Sequence, residues 1–150
     1  MNNYLIKIEY DGSNFVGWQR QKNGISVQET IEKKIQKILK TNIKLIGSGR
    51  TDKGVHAIAQ SANFLTLKKI EEKKKFLNSI NFFLKKYHIS VIDIKKKKLD
   101  FNSRYSAKER VYVYKIVNRL GDLSLDYNRA WHIKSKLDID LLRSGAKILE

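Results

Sequence analysis

The chain contains no cysteine and no proline. Without thiols there is no disulfide framework, no Cys-ligated zinc site and no Cys nucleophile. Histidine is scarce: His56, His88 and His132 stand far apart without ligand spacing, so no metal is expected. No stretch approaches the roughly 20 apolar residues that span a bilayer. Met1 to Tyr10 also lacks the basic start and apolar middle of a signal peptide, so a cytoplasmic protein with no membrane partner is expected. Acidic residues are the other shortage. Against 31 Lys and Arg stand 15 Asp and Glu, giving a formal net charge of +16. A compositional bias toward Lys, Ile and Asn accounts for the lysines but hardly for so few acids. A polyanionic partner remains, nucleic acid first.

Enough apolar sequence is left to fold. The chain of 150 residues is 41% hydrophobic, and a chain of that length buries about 70% of its unfolded surface. It suffices for one ordinary domain, or for a small domain and part of a second.

Tyr4, Ile6, Ile8 and Tyr10 alternate with Lys7, Glu9 and Asp11, the period of a half-buried strand. Asp11 to Asn14 is turn chemistry. The following loop carries Phe15, Trp18, Gln19 and Gln21. Aromatics in a polar loop either pack down as a lid or stack on a base, and Phe15 is expected to pack. Ser26-Val27-Gln28-Glu29 reads as a capping box opening a helix at Val27. Val27, Ile31, Ile35, Ile38 and Leu39 form its inner stripe, with Glu32, Lys33, Lys37 and Lys40 outside. Strands are expected over Asn42 to Ile46 and Ala59 to Leu67. A second helix runs from about Glu71 to Lys86, with Phe76, Leu77, Ile80, Phe83 and Leu84 inward. A strand over Ile89 to Ile94 precedes Lys95 to Lys98, by default a solvated strand end and otherwise a grip on phosphates.

This order gives an α+β fold, a ferredoxin-like βαββαβ antiparallel sheet with helices on one face, over residues 1–105. The pattern then restarts. Val111 to Val117 alternates as a strand, Trp131 and His132 sit in a short apolar stretch, and Asp138 caps a helix with Ile139, Leu142, Ala146 and Leu149 inward. That helix stops at Glu150. Residues 106–150 read as the beginning of a second, incomplete ferredoxin-like domain.

Between the second and third strands lies Gly47-Ser48-Gly49-Arg50-Thr51-Asp52-Lys53-Gly54-Val55-His56-Ala57. A dinucleotide fingerprint needs a glycine where Asp52 stands, and a P-loop needs Lys then Ser or Thr where Val55 and His56 stand. Local chemistry leaves two readings, an active-site loop around Asp52 or a tight connection with a solvated Asp.

Taken together, Tyr10-Asp11-Gly12-Ser13 with Phe15, Gly17, Trp18, Gln19 and Gln21, Ser26-Val27-Gln28-Glu29, the Gly47 to Ala57 loop, Phe101 to Ala107, and Tyr112 with Tyr114 and Asn118 resemble the TruA family of tRNA pseudouridine synthases. The resemblance implies isomerisation of uridine to pseudouridine in the anticodon stem-loop of tRNA, with no cofactor and no metal. It makes Asp52 the essential carboxylate, Arg50 its pairing partner and a holder of the displaced nucleotide, and Tyr112 the aromatic against the target base. Arg104, Lys53 and His56 would join Tyr112 in binding substrate. Lys53 departs from the Ala often found there. The family also continues into a second, similar half that walls the cleft, and the complete protein is expected to be a homodimer. The alternative is a truncated or non-catalytic basic RNA-binding module, against which Ser61 to Leu67 lacks paired aromatics for stacking bases.

Overall fold

Strand β1 (Asn2–Tyr10) lies inside a four-stranded antiparallel sheet of order β2-β3-β1-β4, in a computed structural model that describes residues 1–149. The other strands are β2 (Leu45–Gly47), β3 (Ala57–Thr66) and β4 (Ile89–Lys97). Helix α1 (Val27–Leu39) joins β1 to β2, and α2 (Lys73–Leu84) with one 3-10 turn at Lys85–Tyr87 joins β3 to β4. The sequence order and the strand order are those of the expected ferredoxin-like α+β fold.

Alternation along β1 places Tyr4, Ile6, Ile8 and Tyr10 at 2% exposure or less. They share one core with Val27, Ile31 and Ile35 of α1, Phe76, Ile80 and Leu84 of α2, and Leu45, Ala62 and Phe64 of the neighbouring strands. Each Val, Leu, Ile or Phe side chain among them contributes about 1.5–3 kcal/mol by leaving water. Ser26 caps α1, its hydroxyl accepting the Glu29 amide at 3.3 Å. The Glu29 carboxylate pairs with Lys33 at 2.8 Å and Arg20 at 3.4 Å.

Several expectations change. Glu32, expected in water, is buried at 6% exposure. β2 is an edge strand whose outward polar groups need partners. The Glu32 carboxylate accepts the Leu45 amide at 2.8 Å, while Gln28 donates to the Leu45 carbonyl at 3.0 Å and to Glu32 at 3.2 Å. Strand β2 begins at Leu45 rather than Asn42, and β4 runs on to Lys97, so most of the lysine run is edge strand. Lys95, Lys96 and Lys97 stand opposite Leu5, Tyr4 and Asn3.

The chain divides into two compact units, Met1–Arg110 and Val111–Glu150. Residues 98–103 belong with the first because Asn3 donates to the carbonyls of Lys98 at 2.9 Å and Phe101 at 2.8 Å. Asn63 donates to the Asn3 side chain at 3.0 Å and accepts the Ser103 amide at 2.8 Å.

In the second unit, β5 (Ile116–Asn118) pairs in parallel with β6 (Trp131–Ile133), followed by α3 (Ile139–Leu149). The strand expected from Val111 thus begins only at Ile116. Alternation supplies a face, but a ladder also needs a partner, and β6 offers three residues. The stripe expected inward on α3 is open, with Ile139 and Leu142 at 49% and 48% exposure. Asp138 does cap this helix, accepting the Leu141 amide at 2.9 Å. The Leu149 side chain and Glu150 lie outside the described residues.

Burial is the largest influence on the Glu32 carboxyl and raises its pKa, against the opposing hydrogen bonds from Leu45 and Gln28. A carboxyl raised by folding contributes stability that is fully present below the unfolded pKa and lost as pH rises through the folded one. Glu32→Gln keeps the acceptor and removes the titration. Urea unfolding should therefore show the variant gaining on the parent as pH rises above the ordinary Glu pKa of about 4.3 and through the raised one. A difference independent of pH would show that burial does not perturb Glu32.

Candidate active site

The Asp52 loop leaves the sheet in an ordered way. Gly47 is the last residue of β2, and the Ser48 amide donates to the Ser61 carbonyl at 2.8 Å, extending the ladder by one step. Gln60 then donates to the Gly49 carbonyl at 2.7 Å. Beyond these contacts the loop rests on the 11–18 segment. The Trp18 amide donates to the Thr51 carbonyl at 2.9 Å, and the Thr51 hydroxyl lies 2.8 Å from the Tyr10 phenol. Burial pushes the Tyr10 pKa up, the Thr51 hydrogen bond opposing it, so the phenol stays protonated at neutral pH. The Gly54 amide reaches the Phe15 carbonyl at 3.4 Å, and a turn closes from Val55 to the Asp52 carbonyl at 3.2 Å.

Two glycines make this contact possible. Gly17 has φ 118°, and a Cβ there would stand 2.7 Å from the Thr51 carbonyl oxygen. A Cβ on Gly47 would stand 2.6 Å from the indole nitrogen of Trp18. Trp18 and Phe15 are buried at 1% and 3% exposure, and the Trp18 ring lies 6.0 Å from Tyr10. Both aromatics are therefore packed beneath the loop rather than offered to a base.

This scaffold leaves Arg50, Asp52 and Lys53 exposed around an anchored Thr51. Among the described residues neither Arg50 nor Asp52 forms an ion pair, so the pairing implied by the resemblance is not made in this structure. His56 is engaged with the first turn: its Nδ1 accepts the Gly12 amide at 3.1 Å and lies 3.2 Å from the Asp11 carboxylate. Arg104 is exposed, its amide turned onto the Asn102 side chain at 2.9 Å. Tyr112 belongs to the second unit, where it is 63% exposed and precedes β5. Among the described residues no cluster of three His, Cys, Asp or Glu could hold a metal ion.

Sequence reasoning missed Arg110, whose Nε donates to the Ser48 carbonyl at 2.8 Å while Nη2 donates to the Arg104 carbonyl at 3.0 Å. Nothing in its surroundings marks it, since both acceptors are main-chain atoms. Asn3 and Asn63 left a faint signal as polar side chains inside strand sequences.

A family model described as tRNA pseudouridine synthase matches residues 6–106, from β1 through the Arg104 segment. The chain belongs to the tRNA pseudouridine synthase family. Three curated relatives carry the name tRNA pseudouridine synthase A. That of Pelagibacter ubique (strain HTCC1062) is 53% identical over 149 residues, covering 99% of this chain and 61% of the relative. That of Ehrlichia ruminantium (strain Gardel) is 47% identical over 138 residues, 91% of this chain and 56% of the relative. That of Ehrlichia canis (strain Jake) is 42% identical over 148 residues, 98% of this chain and 60% of the relative. The chain thus spans about three fifths of the length of these relatives. The family match takes in the whole Gly47 to Ala57 loop and its 11–18 floor, and stops short of Arg110 and Tyr112.

For this family member the fit of Gly47 over Trp18 is a stability test independent of chemistry. The indole is buried and packs against the Tyr10 ring, so room for a Cβ has to come from displaced neighbours. Gly47→Ala should cost about 1–3 kcal/mol by urea unfolding, as overpacked sites do. An unchanged midpoint would mean that the indole moves freely.

Proposed function

We propose that this chain carries the catalytic loop of a tRNA pseudouridine synthase that isomerises uridine to pseudouridine in the anticodon stem-loop, with Asp52 as the catalytic carboxylate. The observation that carries the reading is the anchoring of Thr51 by Tyr10 and Trp18, with exposed Arg50 and Asp52 on either side. A loop carboxylate serving only as a connection has no need of a buried aromatic floor. Family membership supplies the reaction, and the geometry supports Asp52 as its centre.

In that reaction the N1–C1′ bond breaks, the uracil turns, and a C5–C1′ bond forms. The C5 proton passes to solvent and N1 gains one. The Asp52 carboxylate can attack C1′, attack the base, or take a proton from the ribose. The target uridine must first leave its stack, at a cost of a few kcal/mol. Arg50 holds the displaced nucleotide, and Arg104, Lys53 and Tyr112 contact the substrate around it. His56, whose Nδ1 also accepts the Gly12 amide, joins them in binding substrate. Residues 106–150 begin a second ferredoxin-like domain of the complete protein, a cytoplasmic homodimer that completes the cleft.

Asp52→Asn keeps shape and hydrogen-bonding reach but removes charge and nucleophilicity. Release of tritium from uridine C5 of unmodified tRNA should fall by about 1,000-fold or more while tRNA affinity holds within about threefold. Near-normal release by a folded variant would return the loop to a simple connection.

The net charge of +16 makes a second prediction. With about four or five phosphates contacted, tRNA affinity should drop about 100-fold between roughly 50 and 200 mM salt, as counterion release requires. Filter-binding titrations would read this, and a flat response would remove RNA as the partner of this charge.

A further inference from the structure

The residues assigned to substrate in the first unit come from two distant stretches, the 48–56 loop and the Arg104 segment. The second stretch is tied to the sheet by Asn3 and Asn63, through Phe101 and Ser103, and folded on itself by the Ser106 amide donating to the Asn102 carbonyl at 2.8 Å. The hydrogen bonds of Arg110 are what join it to the Asp52 loop. One guanidinium holds the Ser48 carbonyl at 2.8 Å and the Arg104 carbonyl at 3.0 Å. The place of Ser48 matters. Its amide is the last to join the sheet ladder, so its carbonyl is where the loop departs.

We infer that Arg110 is a positioning residue whose guanidinium clamps the Arg104 backbone to the start of the Asp52 loop and thereby sets Arg104 against Arg50 and Asp52. The inference rests on the reading of Asp52 as the catalytic carboxylate. Arginine suits the task because its planar fork directs several N–H donors along fixed lines, so one side chain satisfies two carbonyls at once. A lysine offers a single ammonium on a flexible stem. Among the described residues no carboxylate pairs with Arg110, and both of its partners are uncharged. The fork, not the charge, makes the contact.

The test compares Arg110→Lys, which keeps the charge, with Arg110→Met, which keeps only the stem, in the form of the protein that releases the C5 label. Misplacement of a substrate-holding group should lower kcat by about 100-fold in both variants, with tRNA Kd within about threefold. Thermal unfolding should stay at the parent midpoint. Hydrogen exchange, which needs no activity, should quicken at the amides of residues 49–53 and 104–106 in both variants and stay unchanged in β1. Parent-like turnover and exchange in Arg110→Lys would overturn the inference. So would a defect confined to Kd in Arg110→Met and restored by Arg110→Lys, which would make Arg110 a phosphate contact. Absence of label release by the complete, unsubstituted protein would refute the catalytic reading, and exchange would still report on the clamp.

Discussion

The tether on Thr51 is the constraint on which the rest of the site depends. Tyr10 ends β1, an interior strand of the sheet, and its phenol meets the Thr51 hydroxyl at 2.8 Å. The main chain of Thr51 is held from the other side by the Trp18 amide. A residue fixed through both backbone and side chain fixes the directions available to its neighbours. Arg50 and Asp52, on either side of Thr51 in sequence, are both exposed and are not paired with each other. In water such a pair would be worth at most about 1 kcal/mol. Leaving the two unpaired therefore costs little.

The same economy appears beneath the loop. Trp18 and Phe15 come from the 11–18 segment and are both buried, and Trp18 fits against β2 because Gly47 has no Cβ. Helix α1 contributes from the far side, where Gln28 and Glu32 satisfy the outward amide and carbonyl of Leu45. An edge strand of three residues is thereby held in register where it delivers the chain to Ser48. Burying a carboxylate for this purpose is costly unless it is hydrogen-bonded, and Glu32 is bonded twice.

The basic surface has more than one role. Lys95, Lys96 and Lys97 belong to β4, at the edge of the sheet. Lysines on an exposed edge discourage pairing with the strand of another molecule. Part of the positive charge thus has a structural use whether or not RNA is bound. Other lysines lie over aromatic rings, Lys37 at 4.6 Å from the Phe83 centroid and Lys34 at 5.1 Å from that of Tyr87. Charge counted from composition overstates what is free to meet a phosphate.

By itself the sequence determined the βαββαβ order, because helix and strand periods are local properties and β1, α1 and α2 carry them cleanly. The loop around Asp52 stood out only through its resemblance to a family, because its own glycines and charges suit a tight connection as well as an active site. Periodicity misplaced Glu32 because a helix face is apolar or polar only relative to what it meets, and α1 meets the bare edge of β2. It over-extended the strand at Val111 because alternation cannot supply a ladder partner. Tertiary structure alone decided that Trp18 lies under Gly47, that Asn3 and Asn63 hold the chain after β4, and that Arg110 joins Ser48 to Arg104. Most of those contacts link residues tens of positions apart through main-chain atoms or a missing Cβ. Such partners have no side-chain identity, and so leave no pattern in a sequence.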